Sequence, residues 1–264
     1  MKTYRILLCV FALFTVAPAQ DATTLRSVTN TNAREIVARI AENNRKRQQG
    51  LQSYTGQREY HLLYTGFGGR HEADLVVSVK YQSPDNKDFT AVSESGSHVI
   101  VNRVFNKILE TEKEAADQKS QASTALSEEN YEFELLGQED LDGRPAYVFH
   151  VEPKTANRLL YRGRVWVDAQ DFALCKIEGE PAKRPSMWIS KVEVHHRYQK
   201  IGDFWLPAQN VSNTDVRIGG HATLSIQYRD YKVNSDPKLQ AASASAEQIP
   251  PAANAGALGI VDAK

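Results

Sequence analysis

From Leu51 onward the apolar residues recur at every second position, and they do so run after run as far as Val233. A period of two sends alternate side chains to opposite faces of an extended chain, so each run has a dry face and a wet one. In "RHEADLVVSVKYQ", Leu75, Val77, Val79 and Tyr81 face one way while Asp74, Ser78 and Lys80 face the other. That run and "SYTGQREYHLLYTG" flank Gly66-Phe67-Gly68-Gly69 and read as a long hairpin. Further strands are predicted over 89–95, 98–101, 131–136, 145–152, 159–167, 172–178, 187–198, 204–216 and 222–233. Turn signals at Ser83-Pro84-Asp85-Asn86, Asp142-Gly143, Gly202-Asp203 and Gly219-Gly220 keep the connections short. Consecutive strands on short loops can pair only as an antiparallel meander, which makes the chain mainly β.

Two segments depart from this period. Asn32 can cap a helix with Glu35 as its reciprocal partner, and Ala33, Ile36, Val37 and Ile40 follow at helical spacing to an end near Gly50, after Arg45-Lys46-Arg47. In "NRVFNKILETEKEAADQ", Val104, Phe105, Ile108 and Leu109 restore helical spacing, and the polar stretch 119–130 reads as a loop. The two helices are amphipathic and available as cover for the dry face of the sheet.

The ends of the chain set its compartment. Lys2 and Arg5, an apolar run from Ile6 to Val16 and Ala17-Pro18-Ala19 before Gln20 make residues 1–19 a secretory signal peptide. No other long apolar segment follows, so the mature chain is expected to have no transmembrane segment. Cleavage takes two of the 32 basic residues and none of the 32 acidic ones, leaving −2, a balance that gives no reason to expect nucleic acid as a partner. It also removes Cys9, so Cys175 is left without a disulfide partner in the mature chain and a core must stabilise it. Residues 20–31 read as a flexible segment, 32–233 as one domain, and 234–264, "AASASAEQIPPAANAGALGIVDAK" included, as a disordered Ala/Pro-rich tail.

Catalytic chemistry finds no candidate. Cys175 joins Ala173 and Ile177 in an apolar row, and Asp168 and Asp171 occupy the turn before it, where Asp is favoured for local backbone bonds. His195 and His196 are neighbours on one strand and project to opposite faces, so they cannot share a compact metal site. His61 and His71 could meet across the first hairpin, with Glu72 nearby, but a solvated cross-strand pair is the expectation there. There is no HExxH, P-loop or G-x-S-x-G. The expectation is a protein that is not an enzyme, with no metal and no cofactor.

The order of "LVVSVKYQSPDNKDFTAVSESG", "GRVWVDAQDFALCKIEGEP", "KVEVHHRYQKIGDFWLPAQN" and "ATLSIQYRDYKVN", after an opening helix and a long hairpin, resembles the bacterial outer-membrane lipoprotein-sorting (LolA-like) superfamily, and within it the uncharacterised branch. The resemblance covers roughly residues 32–233, and its most specific pieces are Trp166-Val167-Asp168 and Phe204-Trp205-Leu206-Pro207. It implies an incomplete antiparallel β-barrel with helices covering the concave face, and a hydrophobic cavity there. Periodicity alone favours a fully packed interior, and it is the resemblance that raises the cavity reading above it. The cavity residues expected are Leu75, Val77, Val79, Phe149, Trp166, Trp188, Val192, Val194, Trp205, Leu224 and Ile226.

By the same resemblance the function implied is that of a periplasmic carrier holding the acyl chains of a lipid or lipoprotein, with membrane-bound donor and acceptor proteins as partners. A periplasmic scaffold or sensor that binds a lipidated or peptide partner is the alternative, and a hydrolase a distant one. The chain departs from the carriers at Ser83, which stands before Pro84 where they place an arginine linked to hold and release of cargo.

Overall fold

The structure is a computed structural model and describes residues 30–235 except 117, 185, 188 and 218. The signal peptide, residues 20–29 and the tail from 236 onward lie outside the described residues. Helix α1 (Asn30–Gly50) begins two residues before the expected cap and runs directly into β1 (Leu51–Gly66). There follow β2 (Gly69–Gln82) and β3 (Asn86–Gly96), a helical segment, and then seven strands: β4 (Tyr131–Leu141), β5 (Arg144–Pro153), β6 (Tyr161–Asp168), β7 (Leu174–Pro181), β8 (Ile189–Ile201), β9 (Phe204–Val216) and β10 (Gly220–Ser235).

All ten strands form one antiparallel sheet in the order β3-β2-β1-β10-β9-β8-β7-β6-β5-β4. The sheet is not closed: β3 and β4 are its edges, and the helical segment between them in sequence spans from one edge to the other. That segment comprises α2 (His98–Ile100), a π turn Val101–Phe105, α3 (Asn106–Ala116) and α4 (Gln118–Thr124). Two expectations are corrected here. Residues 98–101 form no strand, because Ile100, Val101 and Phe105 are buried together from one side of a helix. Much of 119–130 is helix α4, docked on α1 through Gln48 and Gln121, where a loop was expected.

Two apolar clusters occupy the dry face. One gathers Tyr54, Tyr60 and Leu62 of β1, Ala73 to Tyr81 of β2 and Ile226 of β10 under Ile100, Val101 and Phe105. The other packs Ile36, Val37 and Ile40 of α1 against Tyr131, Phe149, Val151, Val165, Val167 and Ile177 of β4 to β7. The sheet must bend strongly, since Lys87 of β3 and Trp205 of β9 border one cavity although four strand spacings, about 19 Å if flat, separate them.

The connection from β6 to β7 is a structural hub. Asp168, 1 % exposed, accepts hydrogen bonds from Arg144 Nε at 2.6 Å and Nη2 at 2.9 Å and from the backbone N–H groups of Gln170 and Asp171. Burial pushes its carboxyl up, but these bonds and the Arg144 charge outweigh it and hold the group below the usual carboxylate range. Asp168→Asn is expected to lower unfolding free energy by roughly 3 kcal/mol, as breaking a buried pair does. The contribution is complete above the ordinary Asp range and is lost as pH falls through the depressed folded value, so the gap between wild type and variant in urea unfolding narrows in acid.

Candidate functional site

Two cavities lie beneath the helices. The first, about 320 Å³, is walled by Val151, Val165, Leu174 and Ile177, with Tyr131, Tyr161 and Tyr198 among them. The second, about 480 Å³, is walled by Leu51, Tyr54, Tyr81, Ala116, Phe204 and Leu206, together with Lys87 and Glu112. Both are bordered by Asn44 and Arg47 of α1, Thr124 of α4 and Trp205 of β9, so they adjoin at the end of α1. Each falls in the range of about 300–1,000 Å³ usual for small-ligand sites.

The shared border is fixed from the β6–β7 connection. Arg47 donates to the carbonyls of Asp171 and Phe172 at 2.8 and 2.9 Å, tying the end of α1 to that turn. Trp205 Nε1 donates to Asp171 Oδ2 at 2.9 Å, and Lys200 and Arg144 hold the same carboxylate. A rigid turn therefore positions both the arginine and the indole.

On the other side of the second cavity, a charge sits inside the dry face. Alternation along β1 places Arg58 in the same row as Tyr54, Tyr60 and Leu62, and it is only 3 % exposed. Its Nη1 donates to Glu112 on α3, and its guanidinium stacks over the rings of Tyr228 at 4.8 Å and Phe89 at 5.1 Å. Tyr60 donates to Glu112 Oε1 at 3.0 Å and Lys87 Nζ to Oε2 at 3.3 Å. Burial alone pulls the Arg58 guanidinium down, but the Glu112 carboxylate raises it beyond its ordinary value. Burial likewise pushes Glu112 up, and Arg58 with Lys87 outweighs it and keeps the carboxylate ionised.

Between the two apolar clusters the dry face turns polar. His196 and Asn210 are register partners on β8 and β9, and His196 Nε2 and Asn210 Oδ1 are buried without a hydrogen-bond partner. Burial holds the imidazole neutral by lowering it to about 4. Tyr161 stands edge-on to it, with ring centroids 5.2 Å apart.

The residues named from sequence are distributed unevenly. Leu75, Val77, Val79 and Ile226 are packed in the cluster under α2 and the π turn, with Leu224 against it. Phe149 is packed beneath α1, and Val192 and Val194 are buried on β8 between the clusters. Trp205 borders both cavities. Trp166 is a correction: Val165 and Val167 take the α1 side of β6, so alternation turns Trp166 to the reverse face, where it clusters with Ala146, Val148 and Cys175. There Glu139 accepts from its indole, and Lys176 and Arg164 lie over its ring at 4.2 and 5.1 Å. Trp188 lies outside the described residues.

Cys175 also leaves its expected row. Val165 pairs with Ile177 and Val167 with Leu174, so Cys175 is the extra residue of a β-bulge, on the side opposite Ile177. Its Sγ donates to the Trp166 carbonyl at 3.1 Å, and burial pushes the thiol up to about 12. His71 does not meet His61, because the register sets it opposite Tyr64. His61 instead meets Asp74 at 2.7 Å and Glu72 at 3.9 Å, a trio of two half-buried residues and the exposed Glu72, which Arg70 already pairs. His195 is exposed and His196 turned inward, as the alternation required.

Sequence reading missed Arg58, Lys87 and Glu112. The signal was present: Arg58 breaks a dry row on β1, and Glu112 continues the helical stripe of Phe105 and Leu109. A charge in each of two facing apolar rows marks a buried pair.

A protein-family profile described as "Uncharacterized protein" matches residues 116–240. No curated protein matches the chain. Among solved structures it is similar to a DUF1329 family protein from Desulfovibrio piger, at 12% identity and a TM-score of 0.39 over 77% of this chain and 92% of that one. It is similar as well to a putative outer membrane lipoprotein-sorting protein domain from Vibrio parahaemolyticus (13% identity, TM-score 0.37, 76% of this chain, 93% of that one). A third is a LolA superfamily protein from Nitrosomonas europaea, at 13% identity and a TM-score of 0.32, covering 77% of this chain and 96% of that one.

If Glu112 holds the helical segment down, Glu112→Gln strips Arg58 of its counter-charge and weakens that attachment by about 3–5 kcal/mol. Hydrogen exchange should then quicken across 98–116 by at least tenfold while the amides of α1 change little. Equal acceleration in both helices would assign the loss to general unfolding.

Proposed function

We propose that this protein is exported to the periplasm and carries the acyl chain of a lipid or lipoprotein in the two adjoining cavities beneath its helices. The observation that carries the reading is unfilled space, lined by aliphatic and aromatic side chains mixed with polar ones, on the covered face of an open sheet, where a protein interior is ordinarily close-packed. Ten buried methylenes would contribute about 8 kcal/mol before the cost of association, enough for retention through water. The contact residues proposed are those bordering the space, Trp205, Leu206, Phe204 and Ile177 among them. The apolar residues packed beneath the helices, Leu75, Val77, Val79, Ile226 and Phe149, form the wall that backs it.

Membrane passage is a separate matter: among the described residues, no helix is long and apolar enough to cross a bilayer. The loading route proposed is the gap between the sheet edges, where the helical segment is held by Glu112 at one end and by Gln48 and Gln121 at the other.

Protein purified from the exporting cell should carry acyl species in native mass spectrometry. Ala125, an exposed residue at the border of the second cavity, offers an obstruction that leaves the core intact. Ala125→Trp is expected to weaken binding of a fluorescent fatty-chain probe at least tenfold with an unchanged melting temperature. Unaltered probe binding in that variant, with consistently empty wild-type protein, would reject the carrier reading.

A further inference from the structure

The second cavity carries more positive than negative charge. Two cations and one carboxylate, Lys87, Arg47 and Glu112, stand on its border. Glu112 is already committed to Arg58, so Lys87, 3.3 Å away, has at most a share of a counter-charge. Arg47 has no carboxylate within ion-pair distance among the described residues: its guanidinium donates to the Asp171 and Phe172 carbonyls and to Asn44 Oδ1, and the Asp171 and Asp168 carboxylates act on it only from farther off. Neither cation reaches bulk water freely: the Lys87 side chain is 14 % exposed, and burial lowers the Arg47 guanidinium below its usual value. A buried cation without its own anion is costly, and the deficit is relieved when a ligand supplies one.

We propose that this cavity receives the anionic head group, carboxylate or phosphate, of a ligand whose apolar chain runs into the first cavity, with Lys87 and Arg47 as the head group's cations. The inference rests on the acyl-chain reading above and specifies the ligand's polar end. Tyr54 and Tyr81, stacked with centroids 5.1 Å apart, line the same cavity, and Asn44 and Thr124 add neutral polar groups at its border. Lys87 faces Arg58 of β1, Glu112 of α3 and its register partner Tyr81 of β2. Burial first, and Arg58 next, bring its ammonium down to about 8 against the pull of Glu112. Head-group binding is therefore strongest below that value and weakens as pH rises through it, while Tyr81, raised by burial, stays neutral.

Calorimetric titration of the mature protein with dodecanoate, dodecyl phosphate and dodecanol tests this. At least one anion should bind tenfold or more tightly than the alcohol, with the margin shrinking above pH 8, and the tighter of the two anions identifies the head group. Lys87→Gln should abolish the margin while changing dodecanol affinity less than twofold, and Lys87→Arg should keep most of it. Equal binding of all three to the wild type overturns the head-group assignment and leaves the acyl-chain reading standing. Failure of all three to bind overturns both.

Discussion

A sheet of ten strands whose two edges never meet has a dry face that its own hydrogen bonds cannot enclose. α1 covers the β4 to β7 part of that face, and the β1 to β2 part depends on the segment that crosses between the edges, α2 to α4, and on what fastens it. Apolar contact alone would allow this cover to slide, because the hydrophobic effect has no direction. The bond from Arg58 to Glu112 supplies one. It fixes α3 at a single position over β1, and a displaced helix would leave both charges buried and unpaired.

The interior is unevenly filled. Phe105 and Ile100 pack tightly on β1 and β2 next to the anchored helix, and α1 packs tightly on β4 to β7. Between these two centres of packing the β8 and β9 part of the face carries His196 and Asn210 alongside the buried Val192 and Val194. Polar residues at that point do not collapse the sheet upon itself, and two of their atoms remain unpartnered.

Much of this architecture is legible in the alternation. The run 204–216 coincides with β9, and the hairpin of β1 and β2 follows from its period and its glycine turn. What escaped the reading are features that a strict period cannot express. One extra residue at Cys175 reverses a face, and no composition signal marks that bulge. Residues 98–101 are a short apolar run that fits a strand or a helix, and tertiary packing of Ile100 and Phe105 decides for the helix. The candidate site was less legible, because apolar residues in a dry row announce burial without saying whether the space beside them is filled. Among the named residues that are described, Trp205 alone borders the cavities, whereas Lys87 and Glu112, which give the space its character, are charged and so read as solvated.

Charge in such a space alters what retention and release require. A purely apolar hollow would hold any chain of suitable length, and nothing except dilution or unfolding would empty it. Here the carboxylate that fastens the cover is also the anion that partly neutralises Lys87. An anionic guest would satisfy Lys87 and release Glu112 to Arg58 alone, tightening the cover at the moment the cavity fills. Conversely, loosening α3 would withdraw Glu112 from both cations and expose the guest's own anion to water. With such a guest bound, cover and cavity would be coupled through one carboxyl group, and a closed, loaded form would gain from both contacts.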